Sequence, residues 1–389
     1  MFSKRSAHDP QKNRIALALE RNPPRFDLSE SNPTRTNLPY PGALLLSAFD
    51  NAALRRYEPE PHGLLVARRA VAECLRARGV AVTAEQITLT SGTSEAYGYL
   101  FKLLCDPGDD VLVPEPSYPL FADLCRLENV HARGYPLRYD GEWHIDLSAL
   151  QAAIGPRTRA ILIVSPNNPT GSYLKRHELE RLETLGLPLV ADEVFGDYPL
   201  RDDPERVWTA LESKRACVFT LGGLSKQVGM PQWKVAWLCV QGPAATMAAA
   251  RERLELIADT YLSVATPTQL ALPKLLELGA PVQEAIHARL RRNHAALMRA
   301  MAPDSASSLL DVEGGFYATL RLPAVQSEEA WVLEMLERDG VYVQPGFFFD
   351  FREEAYVVLS LLTPEATFDA GLERLLQRVA ARVSAGRGR

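Results

Sequence analysis

Short apolar runs rich in β-branched residues alternate along this chain with segments that have the hydrophobic periodicity of helices. A helix predicted over about residues 64–78 precedes a strand at 87–90, and a helix through 97–104 precedes a strand at 111–113. Parallel strands need a long crossover, usually a helix, so this alternation predicts βαβ units. No other feature of the sequence constrains the fold as much.

Later segments extend the pattern and then change it. Further buried strands are predicted at residues 160–164, 187–191, 218–221 and 235–240. A helical stretch over about 243–300 leads to strands at 316–320, 341–344 and 356–361 and helices at 328–338 and 366–383. The predicted fold class is α/β, with a large domain on a mostly parallel, seven-stranded type of sheet and a smaller α+β C-terminal domain.

Composition narrows the class of protein. Of the 389 residues, 47% are hydrophobic and 23% charged, which provides a large core and excludes global disorder. The net charge of −5 argues against a nucleic-acid-binding protein. Five scattered cysteines indicate neither a disulfide framework nor a zinc module, and no metal site is expected. Without an apolar leader or a membrane-length run, the chain is predicted to be cytoplasmic and away from membranes.

The loops after the predicted strands hold the candidate site, because ligands of open α/β sheets bind at the carboxyl ends of strands. The strand at 87–90 is followed by Ser91, Gly92, Thr93 and Ser94 and then by a helix. Free backbone N–H groups and hydroxyls at a helix N-terminus form an anion site suited to phosphate. A simple helix cap after a glycine turn has the same sequence.

Three more loops add polar groups of different chemistry. Asn168 offers an amide in a proline-stiffened loop. Asp192 ends a buried strand, and its carboxylate there needs a cationic partner, either in a salt bridge or in the pyridinium of a ligand. Lys226 follows two glycines, which allow a close approach to the backbone. A desolvated lysine has a lowered pKa, as an imine-forming amine requires.

An anion cradle, an amide, a carboxylate and an amine in this order resemble the class I and II aminotransferases of the fold-type I pyridoxal-5'-phosphate enzymes. The resemblance covers nearly the whole chain, and the matching segments are 57–63, 91–96, 114–119, 167–171, 192–195, 225–226 with 233–234, and 314–317. It implies pyridoxal 5'-phosphate as cofactor. It also implies transfer of an amino group from an amino acid or amine donor to a keto acid or aldehyde acceptor.

The resemblance assigns roles residue by residue. Lys226 resembles the lysine that forms the Schiff base and shuttles the substrate proton, and Asp192 the residue that keeps the pyridine nitrogen protonated. Asn168 matches the amide that donates to the phenolate oxygen, and Tyr118 the aromatic that stacks on the ring. The residues that resemble the phosphate cup are Gly92, Thr93, Ser94, Ser225 and Lys234. Tyr57 matches a tyrosine that reaches the neighbouring subunit's phosphate, which implies a homodimer with shared active sites.

The chain departs from the family pattern at three positions. Lys234 stands where arginine is usual, and Phe195 replaces a tyrosine that donates to the phenolate oxygen, which should raise the pKa of the internal imine. Val358 occupies the position of the arginine that binds the substrate carboxylate. A carboxylate facing valine would lose on the order of 2–5 kcal/mol.

Two explanations of Val358 stay open. Either the substrate lacks a standard α-carboxylate, or another base replaces the arginine. Arg352, if an insertion shifts the register, and Arg35 on the N-terminal arm are the candidate bases, and Asn32 is a further candidate substrate contact. Common amino acids are therefore expected to be poor donors.

The sequence also predicts domain boundaries. Residues 1–45 are expected to form an arm that packs with the small domain, 46–285 the large cofactor-binding domain and 286–389 the small domain.

A second hypothesis for the function is another reaction of the same cofactor, such as β-elimination, racemisation or oxidation, on a specialised substrate. A third is a non-enzymatic ligand sensor, although no basic helical segment precedes Tyr57 to bind DNA.

Overall fold

An eight-stranded sheet lies at the centre of the larger part of the computed structural model, which describes residues 2–7, 11–301 and 305–387. The strands, numbered along the chain, are β1 (Phe26–Asp27), β2 (Ile87–Thr90), β3 (Asp110–Glu115), β4 (His131–Tyr139), β5 (Trp143–Ile145), β6 (Thr158–Val164), β7 (Leu189–Asp192), β8 (Val218–Gly223), β9 (Ala236–Gln241), β10 (Ser308–Leu309), β11 (Tyr317–Arg321), β12 (Val341–Tyr342), β13 (Gln344–Pro345) and β14 (Tyr356–Ser360).

Helices cover both faces of this sheet and make up much of the rest of the molecule. They are α1 (Arg14–Arg21), α2 (Gly42–Ser47), α3 (Leu65–Ala77), α4 (Thr93–Leu104), α5 (Phe121–Leu127), α6 (Leu147–Ala153), α7 (Arg176–Glu183), α8 (Leu224–Gln227), α9 (Ala244–Tyr261), α10 (Thr266–Ala300), α11 (Glu328–Asp339) and α12 (Glu365–Arg387). Among the described residues, none of these helices is both long and apolar enough to span a membrane.

The large sheet has the order β2-β9-β8-β7-β6-β3-β4-β5 and is mostly parallel. Strands β4, β3, β6, β7 and β8 run parallel, whereas β9 is antiparallel to β2 and β8, and β5 folds back on β4. This confirms the predicted fold class, with an eighth strand. The sequence analysis predicted no strand at β4 or β5, because β4 is largely exposed and lacks an apolar run.

The core forms two layers, one on each face of the large sheet. Successive residues of β6 alternate between them: Ile161 and Ile163 pack in one apolar cluster, and Leu162 and Val164 in the other. Side chains of a strand point to opposite faces in turn, so a strand covered on both faces is apolar throughout. This is why the central strands were predictable as continuous apolar runs.

A second, four-stranded antiparallel sheet lies in the C-terminal part, with the order β10-β11-β14-β13. The N-terminal segment reaches it, since β1 pairs in parallel with β12 and Arg14 forms an ion pair of 2.8 Å with Glu329 on α11. The long helix α10 connects the two parts, and residues 285 and 286 lie inside it.

The helical stretch expected over 243–300 is two helices rather than one. Helix α9 ends at Tyr261, and Leu262 follows in the left-handed region with φ of 43°. Helix α10 then begins with a proline in its first turn and continues through Pro273 and Pro281. The break places α9 against the large sheet, while α10 leads to the C-terminal part.

Candidate active site

The loops that follow β2, β6, β7 and β8 meet at one edge of the large sheet and enclose a cavity of about 130 Å³. Carboxyl ends of parallel strands lie at the same edge, which is why loops distant in sequence converge there. The predicted site residues that line this cavity are Thr93, Ser94, Tyr118, Asn168, Asp192, Ser225 and Lys226.

Asp192 is the last residue of β7, and its carboxylate is buried at the cavity wall. One carboxylate oxygen accepts a hydrogen bond from the backbone N–H of Val194 at 3.2 Å, and the other from the hydroxyl of Tyr97 at 3.1 Å. Burial raises the pKa of Asp192 to about 6, against the opposing effect of these bonds and of Lys226. A cationic ring N–H in the cavity would stabilise the ionised carboxylate.

Lys226 lies in the short helix α8, directly after β8. Its amine lies over two aromatic rings, 5.6 Å from the centroid of Phe195 and 5.7 Å from that of Phe316. Burial lowers the pKa of Lys226, while the carboxylates of Asp192 and Glu30 act in the opposite direction. A lysine with a lowered pKa has more of the free amine at neutral pH and is therefore a better nucleophile.

The N-terminus of α4 and a lysine amine form the anion-binding end of the site. Thr93 and Ser94 open α4 and line the cavity. A Cβ added at Gly92 would lie 3.3 Å from Nζ of Lys234, so this amine lies against the backbone where the helix begins. Helix N-terminal N–H groups, hydroxyls and an ammonium group together suit a phosphate. Gly92, Thr93, Ser94 and Lys234 therefore lie together.

The loop after β6 presents the amide of Asn168 to the cavity. Its neighbour Asn167 holds the loop, because its side-chain oxygen accepts hydrogen bonds from the backbone N–H and the hydroxyl of Thr170. Asn168 is buried, and its side-chain oxygen has no hydrogen-bond partner within the described part of the chain. A buried polar atom without a partner is costly, which indicates a ligand group at this position.

Aromatic side chains close the cavity. Tyr118 packs edge-on against Phe121, with ring centroids 6.2 Å apart, and burial raises the pKa of its hydroxyl. Tyr97 and Tyr317 also line the cavity, although the sequence analysis did not list them as site residues. The position of Tyr97, three residues after Ser94 on the same helix, could have indicated it, since such residues share a helix face.

Besides Gly92 and Lys234, four predicted residues do not line this cavity. Tyr57 is 76% exposed, and the Arg35 side chain is 73% exposed at 4.0 Å from Glu30. Arg352 forms two hydrogen bonds with one oxygen of Glu115, at 3.0 and 2.7 Å. The side-chain oxygen of Asn32 caps the 3₁₀ helix Pro33–Arg35 by accepting from the backbone N–H of Thr34.

The structure also locates Val358. It is fully buried in β14, where it pairs with Thr319 and Gln344. Neither Arg35 nor Arg352 lines the cavity in its place. Lys226 is the one cation among the described residues that do line it.

The fold and the site define a class of protein with a lysine amine, a buried carboxylate and a helix N-terminus suited to phosphate in one cavity. The chain belongs to the family of class I and II aminotransferases, whose family model matches residues 27–375. It is an enzyme that transfers amino groups with pyridoxal 5'-phosphate. The groups described above fit this cofactor, and the amine of Lys234 against the start of α4 is the observation that tests the fit.

Similar proteins agree with this assignment. The chain is 29% identical over 335 residues to the glutamate-pyruvate aminotransferase AlaA of Escherichia coli K12, which covers 83% of this chain and 82% of that protein. A tyrosine aminotransferase of Caenorhabditis elegans is 26% identical and covers 77% of this chain and 66% of its own length.

Solved structures match over nearly the full length. An aminotransferase from Escherichia coli superposes with a TM-score of 0.84 at 24% identity, covering 98% of each chain. A double mutant of Thermus thermophilus aspartate aminotransferase gives a TM-score of 0.80 at 26% identity, covering 97% of this chain and 99% of the other.

Proposed function

We propose that Lys226 carries the cofactor of this aminotransferase and that Asp192, Asn168 and Tyr118 orient it. The observation that carries the proposal is that an amine of lowered pKa, a buried carboxylate and a buried amide line one cavity. When bound, pyridoxal 5'-phosphate supplies an electron sink for the pair released from the donor's C–H bond. Every other task falls to side chains of the protein.

Each side chain has a defined task in this proposal. Asp192 holds a proton on the pyridine nitrogen, and the amide of Asn168 donates to the phenolate oxygen. The amine of Lys226 takes the proton from the donor carbon and delivers it to the cofactor. Tyr118 covers the ring and, with Phe195, excludes water from it.

The phosphate end has a separate set of contacts. Gly92, Thr93, Ser94, Ser225 and Lys234 are proposed to bind it. The first three lie at the start of α4, Ser225 lies at the start of α8 and the amine of Lys234 lies against Gly92, which supports this. Lysine provides a point charge where arginine would provide two parallel donors. The anion-binding end therefore depends more on the backbone N–H groups of α4.

Assembly and domain organisation are part of the same proposal. Exposed apolar side chains concentrate between residues 44 and 66, with Leu44 57%, Leu46 69%, Tyr57 76% and Val66 47% exposed. An apolar surface of this kind favours an interface, which supports a homodimer in which Tyr57 reaches the other subunit's site. Sedimentation at several concentrations tests this: a concentration-independent monomer contradicts it.

The proposed division into an arm at 1–45, a large domain at 46–285 and a small domain at 286–389 is supported by the two separate sheets. All five cysteines lie in the described part of the chain and none forms a disulfide. This supports the proposed cytoplasmic location, because thiols persist in a reducing compartment.

Borohydride reduction tests the role of Lys226. The protein is loaded with pyridoxal 5'-phosphate, reduced and digested, and the modified peptide is identified by mass spectrometry. We expect the added mass on the peptide that contains Lys226, and none there in Lys226→Ala. Lys214→Ala, an exposed lysine, serves as the control and should label as the wild type does. Labelling on a different peptide refutes the assignment.

A donor screen tests the reaction itself. Amino acids and amines are added one at a time to the loaded enzyme, and conversion of the cofactor to its amine form is followed by absorbance. Conversion that a keto acid or aldehyde reverses supports amino transfer. Release of the products of elimination, racemisation or oxidation, without the amine form, contradicts it.

A further inference from the structure

A carboxylate of the N-terminal segment lies next to a residue that contacts the wall of the active-site cavity. Tyr317, which lines the cavity, donates from its hydroxyl to the hydroxyl oxygen of Ser31 at 2.9 Å. This bond ties residues 30 and 31 to the cavity wall. The adjacent residue, Glu30, accepts the backbone N–H of Asn32 at 2.8 Å, which fixes the direction of its carboxylate. Its side chain is 24% exposed.

The negative charge of Glu30 affects the pKa values of two groups that line the cavity, Lys226 and Tyr317. It helps to raise the pKa of Lys226 against the dominant effect of burial. It also adds to the burial that raises the pKa of Tyr317 to about 12. Arg35 is 4.0 Å from Glu30, but its side chain is 73% exposed, so its charge is largely screened by solvent.

Among the described residues, the candidate base that lies beside Glu30 is the exposed Arg35. Val358 is buried within β14, and Arg352 is engaged with Glu115. Of the described residues lining the cavity, the only cation is Lys226, which the proposed function assigns to the cofactor. A donor carboxylate at this end would therefore meet the carboxylate of Glu30, and the guanidinium group beside it is the solvent-screened one of Arg35. Like charges brought together in a partly dehydrated site repel.

We propose that the amino donor is a primary amine that carries a second, distal cationic group and no carboxylate beside the reacting carbon, and that Glu30 binds the distal cation. This inference rests on the proposed function. In the net half-reaction, the donor's CH–NH₂ carbon is oxidised to an aldehyde or ketone, and the cofactor's aldehyde carbon is reduced to a CH₂–NH₂ group. The amino group and the hydrogen on the donor carbon pass to the cofactor's carbon, and the aldehyde oxygen is returned to the donor carbon by way of water, so no further oxidant is needed.

Paired donors of equal length isolate the role of the distal charge. The loaded enzyme is mixed with 1,5-diaminopentane or with n-pentylamine, and the rate and half-saturation concentration for conversion to the amine form are measured. A charge-assisted hydrogen bond is worth about ten- to a hundredfold. We expect the diamine to exceed the monoamine in efficiency by that factor, with most of the difference in the half-saturation concentration. Added salt should reduce the difference.

Variants of Glu30 tie that preference to one carboxylate. Glu30→Gln keeps an acceptor for the N–H of Asn32 but removes the charge, so the diamine-to-monoamine ratio should fall at least tenfold. Glu30→Asp keeps the charge and should retain part of the ratio. Glu337→Gln removes an exposed carboxylate on α11 and should leave the ratio at the wild-type value. Thermal midpoints verify that each variant is folded.

The outcomes separate the two proposals. If glutamate or alanine converts the cofactor as efficiently as the diamine, and Glu30→Gln leaves the ratio unchanged, the inference about Glu30 is wrong and the proposed function stands. If no donor produces the amine form although Lys226 is labelled by borohydride, the amino-transfer proposal and the inference fail together. If Arg35→Ala or Arg352→Ala abolishes reaction with amino acids, an arginine binds their carboxylate and the inference is overturned.

Discussion

Two adjacent carboxylates at the end of β7 differ in environment because neighbouring residues of a strand point to opposite faces. Asp192 faces the cofactor cavity, with Lys226 and Tyr97 beside it. Glu193 lines a separate cavity of about 360 Å³ and accepts the backbone N–H of Ala210 at 2.7 Å. Burial raises the pKa of Glu193 to about 8. One carboxylate thus faces the cavity, whereas burial favours the protonated form of the other.

Replacement of Asp192 by asparagine tests its role on the pyridine nitrogen. The neutral amide cannot hold the ring proton, so the electron sink weakens while phosphate contacts keep the cofactor bound. We expect Asp192→Asn to lower the single-turnover rate by several orders of magnitude, with cofactor content unchanged by absorbance. Asp202→Asn, at an exposed position, is the control. A single-turnover rate close to that of the wild type would contradict the assigned role.

Glu193 predicts a pH dependence of stability. Its pKa is about 8 in the folded protein and about 4.5 in the unfolded chain, so between these values the folded state retains a proton that the unfolded state releases. The free energy of unfolding should therefore fall as pH rises from about 4.5 to 8. Glu193→Gln removes this contribution. In urea unfolding, the free energy of unfolding of the variant relative to the wild type should be higher at pH 8 than at pH 5. The same difference at both pH values would refute the prediction.

At the scale of elements, helix α4 and the strand-to-helix connections at β2 and β8 form the proposed phosphate-binding end of the site. Helix α4 starts with Thr93 directly after the loop of β2, and α8 starts directly after β8. Strand β9 lies between β2 and β8 in the sheet, which brings both helix starts together. Lys234, in the left-handed region just before β9, supplies the ammonium group there.

Removal of that ammonium group should weaken cofactor binding through the phosphate. Lys234→Gln is expected to raise the dissociation constant of pyridoxal 5'-phosphate about ten- to a hundredfold, the value of a charge-assisted contact. Pyridoxal, which lacks the phosphate, is the matched ligand, and its dissociation constant should change by less than about threefold. Fluorescence titration of the cofactor-free protein measures both. Equal losses for the two ligands would place Lys234 away from the phosphate.

At the scale of the whole molecule, a buried ionic cluster links the large sheet to the C-terminal part. The amine of Lys175, in the loop after β6, contacts Asp203 and lies 2.7 Å from Glu313, just before β11. The side chains of Lys175 and Glu313 are 6% and 1% exposed. Removing one member of a buried pair leaves an uncompensated charge.

Lys175→Met should therefore destabilise the protein by about 3–5 kcal/mol, measured as the free energy of unfolding in urea. Lys274→Met, which breaks an exposed pair with Glu277, should cost no more than about 1 kcal/mol. Adding Asp203→Asn and Glu313→Gln to Lys175→Met should restore part of the loss, because no buried charge then lacks a partner. A loss no larger than that of the control would show that the cluster is not a structural link.

The sequence by itself determined the central strands and the loops of the candidate site. Strands β6 to β9 are covered on both faces, so their apolar runs are local signals, and the ends of parallel strands must meet at one edge. This places Asp192, Asn168 and Lys226 together from order alone. Strand β4 escaped prediction because its largely exposed residues have no apolar run.

Only the tertiary structure decided which groups face the substrate end of the cavity. The bond between Ser31 and Tyr317 joins residues 286 positions apart, and it holds the segment with Glu30 against a residue of the cavity wall. Arg352 is occupied by Glu115, 237 positions away. Local patterns carry burial and secondary structure, whereas contacts between distant side chains depend on how the elements pack. The proposed position of Glu30 near the donor depends on such a contact.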